Sequence, residues 1–300
     1  MKVDPDWDDL KVFLAVARGA SLSAAAKLLK RDPATVGRRI TRLEEALGTA
    51  LFVRTPAGYG LTEAGGRLLG HAEAVEQAIS RGAEALRGAP GQLTGQVRIG
   101  APDGAAVFLL PRVCAEIRAQ HPGLELQIVA LPGVVNLSRR EADFAVTVTP
   151  PTAGRLTVQK ITDYSLHLAA HRDYLACARE IRTLADLLDH PVVGYIPDMI
   201  FDKALDYLSE LPVTGVGLAS NAVSVQLAFL REAAGVGIAH DFALPHVPEL
   251  RKVLADAFAL TRSYHLVRHA GDRRIERLAR VGDMLHAGLR AEVARLESLT

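Results

Sequence analysis

The sequence predicts an all-α-rich unit at the N-terminus, followed by an α/β unit. Three observations predict this fold class. Apolar residues recur at three- and four-residue steps over residues 7–47, which is the period of amphipathic helices. From Leu93 onward, short apolar runs typical of strands alternate with helical stretches, which favours a largely parallel sheet. The length of 300 residues also exceeds one ordinary domain of about 100–200 residues.

Three helices are expected in the first unit, and their ends are marked by capping residues. The first helix follows the apolar pattern of Trp7–Ala17. Ser23 is expected to cap a second helix, Ala24–Lys30, and Asp32 a third, with Pro33 at its first position, where a missing N–H costs nothing. The third helix is expected to bury one stripe, formed by Val36, Ile40, Leu43 and Leu47.

A basic cluster lies on the second and third of these helices. The only acid between residues 27 and 42 is Asp32, whereas six cations lie there: Lys27, Lys30, Arg31, Arg38, Arg39 and Arg42. A short turn between two helices, with a basic outer face on the second, is what binding in the DNA major groove needs. The alternative is that these arginines are only the solvated face of a surface helix.

Residues 51–61 predict a short hairpin with a glycine-rich tip after the third helix.

Residues 62–87 predict a long helix that carries a heptad seam. The apolar steps alternate between four and three, as in helices that pair with a second copy. The seam runs for fewer than three heptads, so a helix packed on its own domain stays open as an alternative. The residues expected to pair protomers into a homodimer or homotetramer are Leu68, Val75, Ile79 and Leu86.

The α/β part has a clear alternation of element types. Strands are expected at Val97–Gly100, Leu124–Leu131, Phe144–Thr149, Ser165–Ala170 and Pro191–Tyr195. Helical stretches are expected between them, at Phe108–Gln120, Leu184–Asp189 and Val223–Ala234.

Composition argues against several classes of protein. The formal net charge is +1, so any DNA-binding surface has to be local. Cys114 and Cys177 form neither a disulfide framework nor a metal-binding spacing, so we expect no metal, no cofactor and a reducing compartment, the cytoplasm. The acidic N-terminus is unlike a signal peptide. The uncharged stretch 211–230 could suggest a membrane span, but its proline, glycines and polar residues favour a soluble protein.

Several motifs resemble those of LysR-type transcriptional regulators over nearly the whole chain. In the first unit they are FLAVA at 13–17, GASLSAAA at 19–26, VGRRI at 36–40, LE at 43–44, LG at 47–48, LF at 51–52, Arg54 and LTEAG at 61–65. Looser similarity to that family's effector domain covers 136–146, 171–175, 184–192 and 220–238.

The resemblance implies a winged helix-turn-helix at residues 1–62, a linker and dimerisation helix at 63–91, and a two-lobed effector domain like the type 2 periplasmic-binding proteins at 92–300. It implies a regulator, not an enzyme, which binds double-stranded promoter or operator DNA and a small-molecule effector between the lobes. Lobe one would be about 93–160 plus the C-terminal part, and lobe two about 161–267. The regions 160–164 and 263–268 would lie on strands that cross between the lobes.

Two departures from the family pattern stand out in the third helix: Pro33 replaces a glutamine that often contacts DNA, and Gly37 replaces a serine. Family members commonly have Ser-Gln-Pro-Ala-Val-Ser where this chain has Asp-Pro-Ala-Thr-Val-Gly at 32–37. Thr35 and Arg38 are therefore the expected base contacts, whereas residues such as Arg42 are better suited to phosphate. The complete set of candidate DNA-binding residues is Ser21, Ser23, Pro33, Ala34, Thr35, Gly37, Arg38, Arg39, Arg42 and Arg54.

Effector candidates follow from position in an open α/β sheet, where ligands bind beyond the carboxyl ends of strands and near helix N-termini that favour anions. For each of these residues, a loop or capping role is the open alternative. Asp103 would disfavour an anionic effector, unless it caps its own helix. The candidates are Pro102, Asp103, Gly104, Thr147, Thr149, Tyr195, Ser220, Asn221 and His240.

Three other classes of protein compete with this interpretation. A hydrolase would need a nucleophile together with His and Asp, and Cys114 lies in an apolar helical pattern typical of an inert core thiol. A solute-binding protein would need a signal peptide and would leave the N-terminal unit unexplained. A redox sensor bridging Cys114 to Cys177 would need their Cα atoms within about 7 Å.

Overall fold

A computed structural model describes residues 5–55, 58–85, 92–130, 142–152, 154–200 and 202–300 of the chain. The described residues divide into two compact units, one within 5–85 and one within 92–300. Each unit has its own hydrophobic core. Among the described helices, none has both the length and the apolar character needed to cross a membrane.

The first unit has three short helices, a hairpin and a long helix. Their bounds are α1 (Trp7–Gly19), α2 (Leu22–Leu29), α3 (Pro33–Leu47), β1 (Phe52–Thr55), β2 (Gly58–Leu61) and α4 (Glu63–Ala85). Strands β1 and β2 pair antiparallel. The three helices, the hairpin and their core confirm the predicted winged helix-turn-helix. Pro56, Ala57, Leu86 and the expected linker at 88–91 lie outside the described residues.

Asp32 caps α3 as predicted, whereas the cap predicted for α2 was wrong. The Asp32 Oδ1 atom accepts a hydrogen bond from the Thr35 backbone N–H at 2.8 Å. Helix α2 begins two residues earlier than expected, and Ser21 rather than Ser23 accepts from the Ala24 backbone N–H at 3.4 Å. The earlier start is explained by Leu22, because its side chain packs against the core of this unit from the first position of the helix.

The core of the first unit contains most of the predicted stripe of α3. Val36, Ile40 and Leu43 are buried, but Leu47, at the last helical position, is exposed. The hairpin docks through the Tyr59 backbone N–H, which donates to the Ala20 carbonyl at 2.9 Å. Gly58 permits this approach, because a Cβ at that position would lie 2.4 Å from the same carbonyl oxygen and its φ is +122°.

The second unit is built on one nine-stranded sheet with the order β4-β3-β5-β11-β6-β9-β7-β8, in which β10 also pairs with β6. The strands are β3 (Gly95–Ala101), β4 (Leu124–Ala130), β5 (Phe144–Thr147), β6 (Leu156–His171), β7 (Val192–Gly194), β8 (Leu218–Ala219), β9 (Val236–His240), β10 (Leu250–Val253) and β11 (Ala259–His269). The α-helices are α5 (Asp103–Phe108), α6 (Leu110–Gln120), α7 (Arg172–Cys177), α8 (Val223–Arg231) and α9 (Glu276–Glu297).

Two long antiparallel strands, β6 and β11, join the two halves of this sheet. At one end β11 pairs with β5, which lies next to β3 and β4. At the other end β6 pairs with β9, which lies next to β7 and β8. The outer strands pair parallel within each half, as the alternation of elements predicts. The expected two-lobed architecture with crossing strands is thereby confirmed.

Several predicted elements of the second unit differ in extent or type. The strand predicted at 165–170 extends over Leu156–His171, and the helix predicted at 223–234 ends at Arg231. The helix expected at 108–120 is broken at Leu109, because Pro111 has no N–H for the hydrogen bond that would continue the helix. Residues 184–189 form a 3₁₀ rather than an α-helix. Strand β5 ends at Thr147, two residues before its predicted end, and Leu131 lies outside the described residues.

Candidate DNA-binding surface and effector site

The outward face of α3 carries the two residues predicted to contact bases. Arg38 is exposed, and its Nη2 donates to the Thr35 hydroxyl oxygen at 3.0 Å. Hydrogen bonds from Thr35 hold the pKa of Asp32 below its ordinary value, so this cap stays ionised. Pro33 and Ala34 are exposed beside them. The first two turns of α3 therefore present a hydrogen-bonded polar pair next to the side chains of Pro33 and Ala34.

Two other arginines of α3 are bound by acids of α1. Asp9 is almost fully buried and accepts from Nε and Nη2 of Arg42, both at 2.6 Å. Arg39 Nη1 lies 3.4 Å from Asp9 and 3.7 Å from Asp8, and Asp6 lies 3.4 Å from Arg42. These acids raise the pKa of Arg42 through hydrogen bonding and charge. The role of Asp9 was missed, although the acidic start of α1 was a visible signal.

The remaining candidates of the DNA-binding surface lie apart from this pair. Ser23 is exposed, whereas Ser21 is used as the cap of α2. Gly37 is half-buried, and a Cβ there would meet only Leu22 at 3.6 Å. Arg54 is exposed on β1, and its guanidinium carbon lies 5.8 Å from the centre of the Tyr59 ring. Exposed cations also flank α3 at Lys27, Lys30 and Arg31.

The predicted seam of α4 has two parts, one packed on its own unit and one exposed. Leu68 packs against the core of its own unit, next to the buried Ala72. Val75 and Ile79 are 41% and 49% exposed, respectively. The alternative of a helix packed on its own domain therefore applies to the N-terminal half of α4. Arg18 of α1 also contacts the middle of α4, through two hydrogen bonds to Glu76, at 2.7 and 3.1 Å.

In the second unit, Asp103 joins the two lobes. Its Oδ2 atom accepts from the Ser224 backbone N–H at 2.7 Å, and Ser224 lies in the first turn of α8. No side chain caps α5, the helix that Asp103 begins. The alternative in which Asp103 caps its own helix is therefore wrong, because Asp103 accepts from the first turn of a helix in the other lobe. Its expected effect on anionic effectors stays a prediction.

Aromatic side chains from the crossing strands and lobe two surround His240. The His240 ring stacks on Tyr164 at 5.5 Å, and Tyr164 stacks on Tyr264 at 4.3 Å. The Tyr207 hydroxyl lies 3.5 Å from His240 Nε2. Burial lowers the pKa of His240 to about 3, so the ring is uncharged at neutral pH. A Cβ at Gly104 would lie 3.8 Å from both the His240 Nε2 and the Tyr264 hydroxyl.

A cavity of about 310 Å³ opens beside this cluster, on the lobe-two side. Tyr195 and Tyr207 line it, and their ring centres are 5.7 Å apart. Gln226 of α8 also lines it and donates its amide N–H to the Ser220 carbonyl at 2.8 Å. Burial and the charge of Asp103 raise the pKa of Tyr195, so its hydroxyl keeps its proton.

Among the effector candidates, Asp103, Gly104, Tyr195 and His240 therefore meet around the cluster. Ser220 is buried, but its hydroxyl is occupied by the Ala222 backbone N–H at 3.1 Å. The Pro102 carbonyl accepts from the Ala106 backbone N–H at 2.9 Å, and Asn221 is half-buried before α8.

The two candidate threonines, Thr147 at the end of β5 and Thr149 after it, differ in their partners. The Thr147 hydroxyl is buried and has no hydrogen-bond partner in the described structure. The Thr149 hydroxyl donates to Asp202 at 2.9 Å.

The sequence analysis missed four residues around the cluster, because only the order of the strands reveals that their separate segments meet. They are Tyr164, Tyr207, Tyr264 and Gln226.

The two cysteines offer no sign of a reactive pair. Both are free thiols, and Cys114 is buried whereas Cys177 is exposed. Burial raises the pKa of Cys114 to about 11, as expected for an inert core thiol. In the part of the chain that the structure describes, no group of three or more His, Cys, Asp or Glu side chains could hold a metal ion.

Comparisons with known proteins cover both units. The LysR substrate binding domain matches residues 90–290, and the bacterial regulatory helix-turn-helix protein, lysR family, matches residues 7–66. The HTH-type transcriptional regulator CrgA of Neisseria meningitidis is 26% identical over 188 residues, 63% of either chain. The HTH-type transcriptional activator IlvY of Salmonella typhimurium is 33% identical over 150 residues, 49% of this chain and 51% of IlvY. The chain thus spans less than two thirds of the length of these curated relatives.

Solved structures share the fold. A full-length OxyR variant from Pseudomonas aeruginosa has a TM-score of 0.67 at 17% identity, covering 95% of this chain and 98% of that one. CrgA from Neisseria meningitidis has a TM-score of 0.57 at 21% identity, covering 96% and 98%. The two domain matches together extend over most of the sequence. The chain therefore belongs to the LysR family of transcriptional regulators.

Proposed function

We propose that the protein is a cytoplasmic, sequence-specific DNA-binding regulator of transcription, which forms a homodimer or homotetramer and responds to a small-molecule effector. The domain boundaries proposed for it are 1–62, 63–91 and 92–300. One observation carries the proposal: exposed Arg38 is hydrogen-bonded to half-buried Thr35 near the start of α3, in a helix-turn-helix surrounded by cations. Family membership supports it, since both matched domains belong to regulators.

Within this surface, the arginines of α3 take different roles. Arg38 is the base contact, because its exposed guanidinium can present two N–H groups to a guanine. Arg42 remains half-exposed and near enough to solvent to meet phosphate, but Asp9 already holds two of its N–H groups. We therefore assign Arg42 mainly to positioning α3 on α1, with any phosphate contact secondary.

The experiment begins with selection of binding sequences by full-length protein from a random DNA pool. Arg38→Ala is expected to weaken the selected site by about 1–3 kcal/mol and to relax the preference at one base pair. Arg67→Ala, which removes an exposed arginine of α4, is the matched control and leaves the preference intact. Failure of the wild type to enrich any sequence would refute the proposal.

Salt dependence separates the two roles of Arg42. A phosphate contact would reduce the slope of log binding constant against log salt by about one when Arg42 is replaced by Ala. A positioning role predicts instead an unchanged slope and a lower melting temperature of the DNA-binding unit. Asp9→Asn, which keeps Arg42 but weakens its support, is expected to behave like Arg42→Ala.

A further inference from the structure

The carboxylate of Asp103 occupies the N-terminus of α8, where a negatively charged ligand would otherwise be attracted. The N-terminus of a helix attracts anions, because its first N–H groups are free and the helix dipole is positive there. At α8 that place is taken by the carboxylate of Asp103, which accepts from the Ser224 N–H at 2.7 Å. A carboxylate ligand would have to displace Asp103 or lie next to its charge.

The wall of the neighbouring cavity is mostly uncharged. Val193, Ile200 and Ile238 supply apolar surface, and Tyr195 and Tyr207 supply rings. The charged residues that line it, Lys203 and Asp206, are one of each sign. The two charges cancel, so the wall carries no net charge that favours a ligand of either sign, while burying a charged ligand costs desolvation free energy.

The guanidinium beside the cluster, that of Arg262, is engaged elsewhere. Arg262 lies over the Tyr207 ring at 5.8 Å, but its N–H groups donate to the carbonyls of Ala204 and Thr261 and to Glu210. His240 is 2% exposed, and its Nδ1 atom is buried with no hydrogen-bond partner within the described residues. Within the described residues, the buried polar atoms of the cluster that have no partner are His240 Nδ1 and the Tyr164 hydroxyl, and both belong to neutral groups.

Given the proposed function, we propose that the effector is a small uncharged molecule with an apolar body, and that Asp103 excludes carboxylates by occupying the N-terminus of α8. The cavity of about 310 Å³ is at the low end of the size of ligand sites, which suits a single ring with one or two polar substituents. Asp103 acts as a specificity-determining residue, and the tyrosine rings supply the contact area.

The test uses three probes with the same ring and different charge: benzyl alcohol, benzoate and benzylamine. Calorimetric titration of the full-length wild type is expected to show benzyl alcohol binding about tenfold more tightly than either charged probe. In Asp103→Ala, the Ser224 N–H and the helix N-terminus become free, so benzoate affinity is expected to rise about tenfold while benzyl alcohol changes little. Asp103→Asn removes the charge but keeps an acceptor for Ser224, so benzoate should gain less.

Asp256→Ala removes an exposed acid away from the cavity and is the control for the loss of charge. Wild-type protein that binds benzoate at least as well as benzyl alcohol would overturn the proposal, as would an unchanged probe ratio in Asp103→Ala. Failure of all three probes to bind would overturn the cavity as the effector site. Enrichment of a DNA sequence by the same preparations tests the proposed function separately, so the two failures are distinguishable.

Discussion

The exposed part of α4 is expected to hold two protomers together. Val75 and Ile79 form an apolar stripe that the protomer leaves about half uncovered, at 41% and 49% exposure. Full burial of such a side chain contributes about 1.5–3 kcal/mol, so covering the remaining half contributes about 1 kcal/mol for each. Two residues on each of two protomers then contribute about 4 kcal/mol, which is about a thousandfold in the dimer dissociation constant.

Ile79→Asp should remove at least half of this free energy and also bury a carboxylate in the interface. We expect the dissociation constant measured by sedimentation equilibrium to rise about a hundredfold or more. DNA affinity should fall with it, because two half-sites need two linked helix-turn-helix units. Val75→Asp should act alike, whereas Leu68→Asp would also damage the core of its own unit and is a poorer probe.

Gly66→Asp is the matched control for this prediction. Gly66 lies nine residues before Val75 and thus on the opposite side of α4, and a Cβ there meets nothing within 4 Å. We expect the control to leave the oligomeric state unchanged. An unaltered dissociation constant in both Ile79→Asp and Val75→Asp would refute the assignment of this stripe to the interface.

Three further predictions concern the second unit. Gly235→Ala is expected to lower the free energy of unfolding measured in urea titrations by about 3 kcal/mol or more. The reason is that Gly235 has a φ of +144° and that a Cβ there would lie 2.2 Å from the Pro191 carbonyl oxygen. Gly215→Ala, at a position where a Cβ meets nothing within 4 Å, is the control. Burial favours neutral His240, so its contribution to the free energy of unfolding is complete above pH 6.5 and is lost as pH falls from 6.5 towards about 3. His240→Gln should flatten the plot of this free energy against pH over that range. An identical plot for wild type and variant would contradict the lowered pKa of His240. Iodoacetamide at pH 8 should label the native protein once, at Cys177, and Cys177→Ser should abolish labelling; rapid labelling of native Cys114 would show that its thiol is accessible after all.

Local chemistry predicted the helix-turn-helix closely. Asp32 and Pro33 mark the start of α3, and Gly48 ends it with a φ of +67°, because capping and φ preferences depend on adjacent residues alone. The same local logic failed at Ser23, where burial of Leu22 decided the first turn of α2.

The candidate sites show what the sequence could not predict. Asp103 was recognised as the informative residue of its segment, but its partner Ser224 lies 121 positions further along the chain. Likewise, the ion pairs between Asp9 and Arg42 span 33 positions. Such partners follow from helix packing and strand order, which a pattern of spacing does not contain. The crossing strands were predicted through the family resemblance and not from periodicity.

The hydrogen bond between Asp103 and Ser224 has a consequence for how strongly any effector can bind. It ties α5 of one lobe to α8 of the other, so this bond must be released before a ligand can occupy the N-terminus of α8. If a ligand needs the released form, its measured dissociation constant equals the intrinsic one divided by the released fraction. The strength of one interlobe hydrogen bond would then set the effector concentration at which the regulator responds, and substitutions at residue 103 would retune that threshold while the cavity wall stays the same.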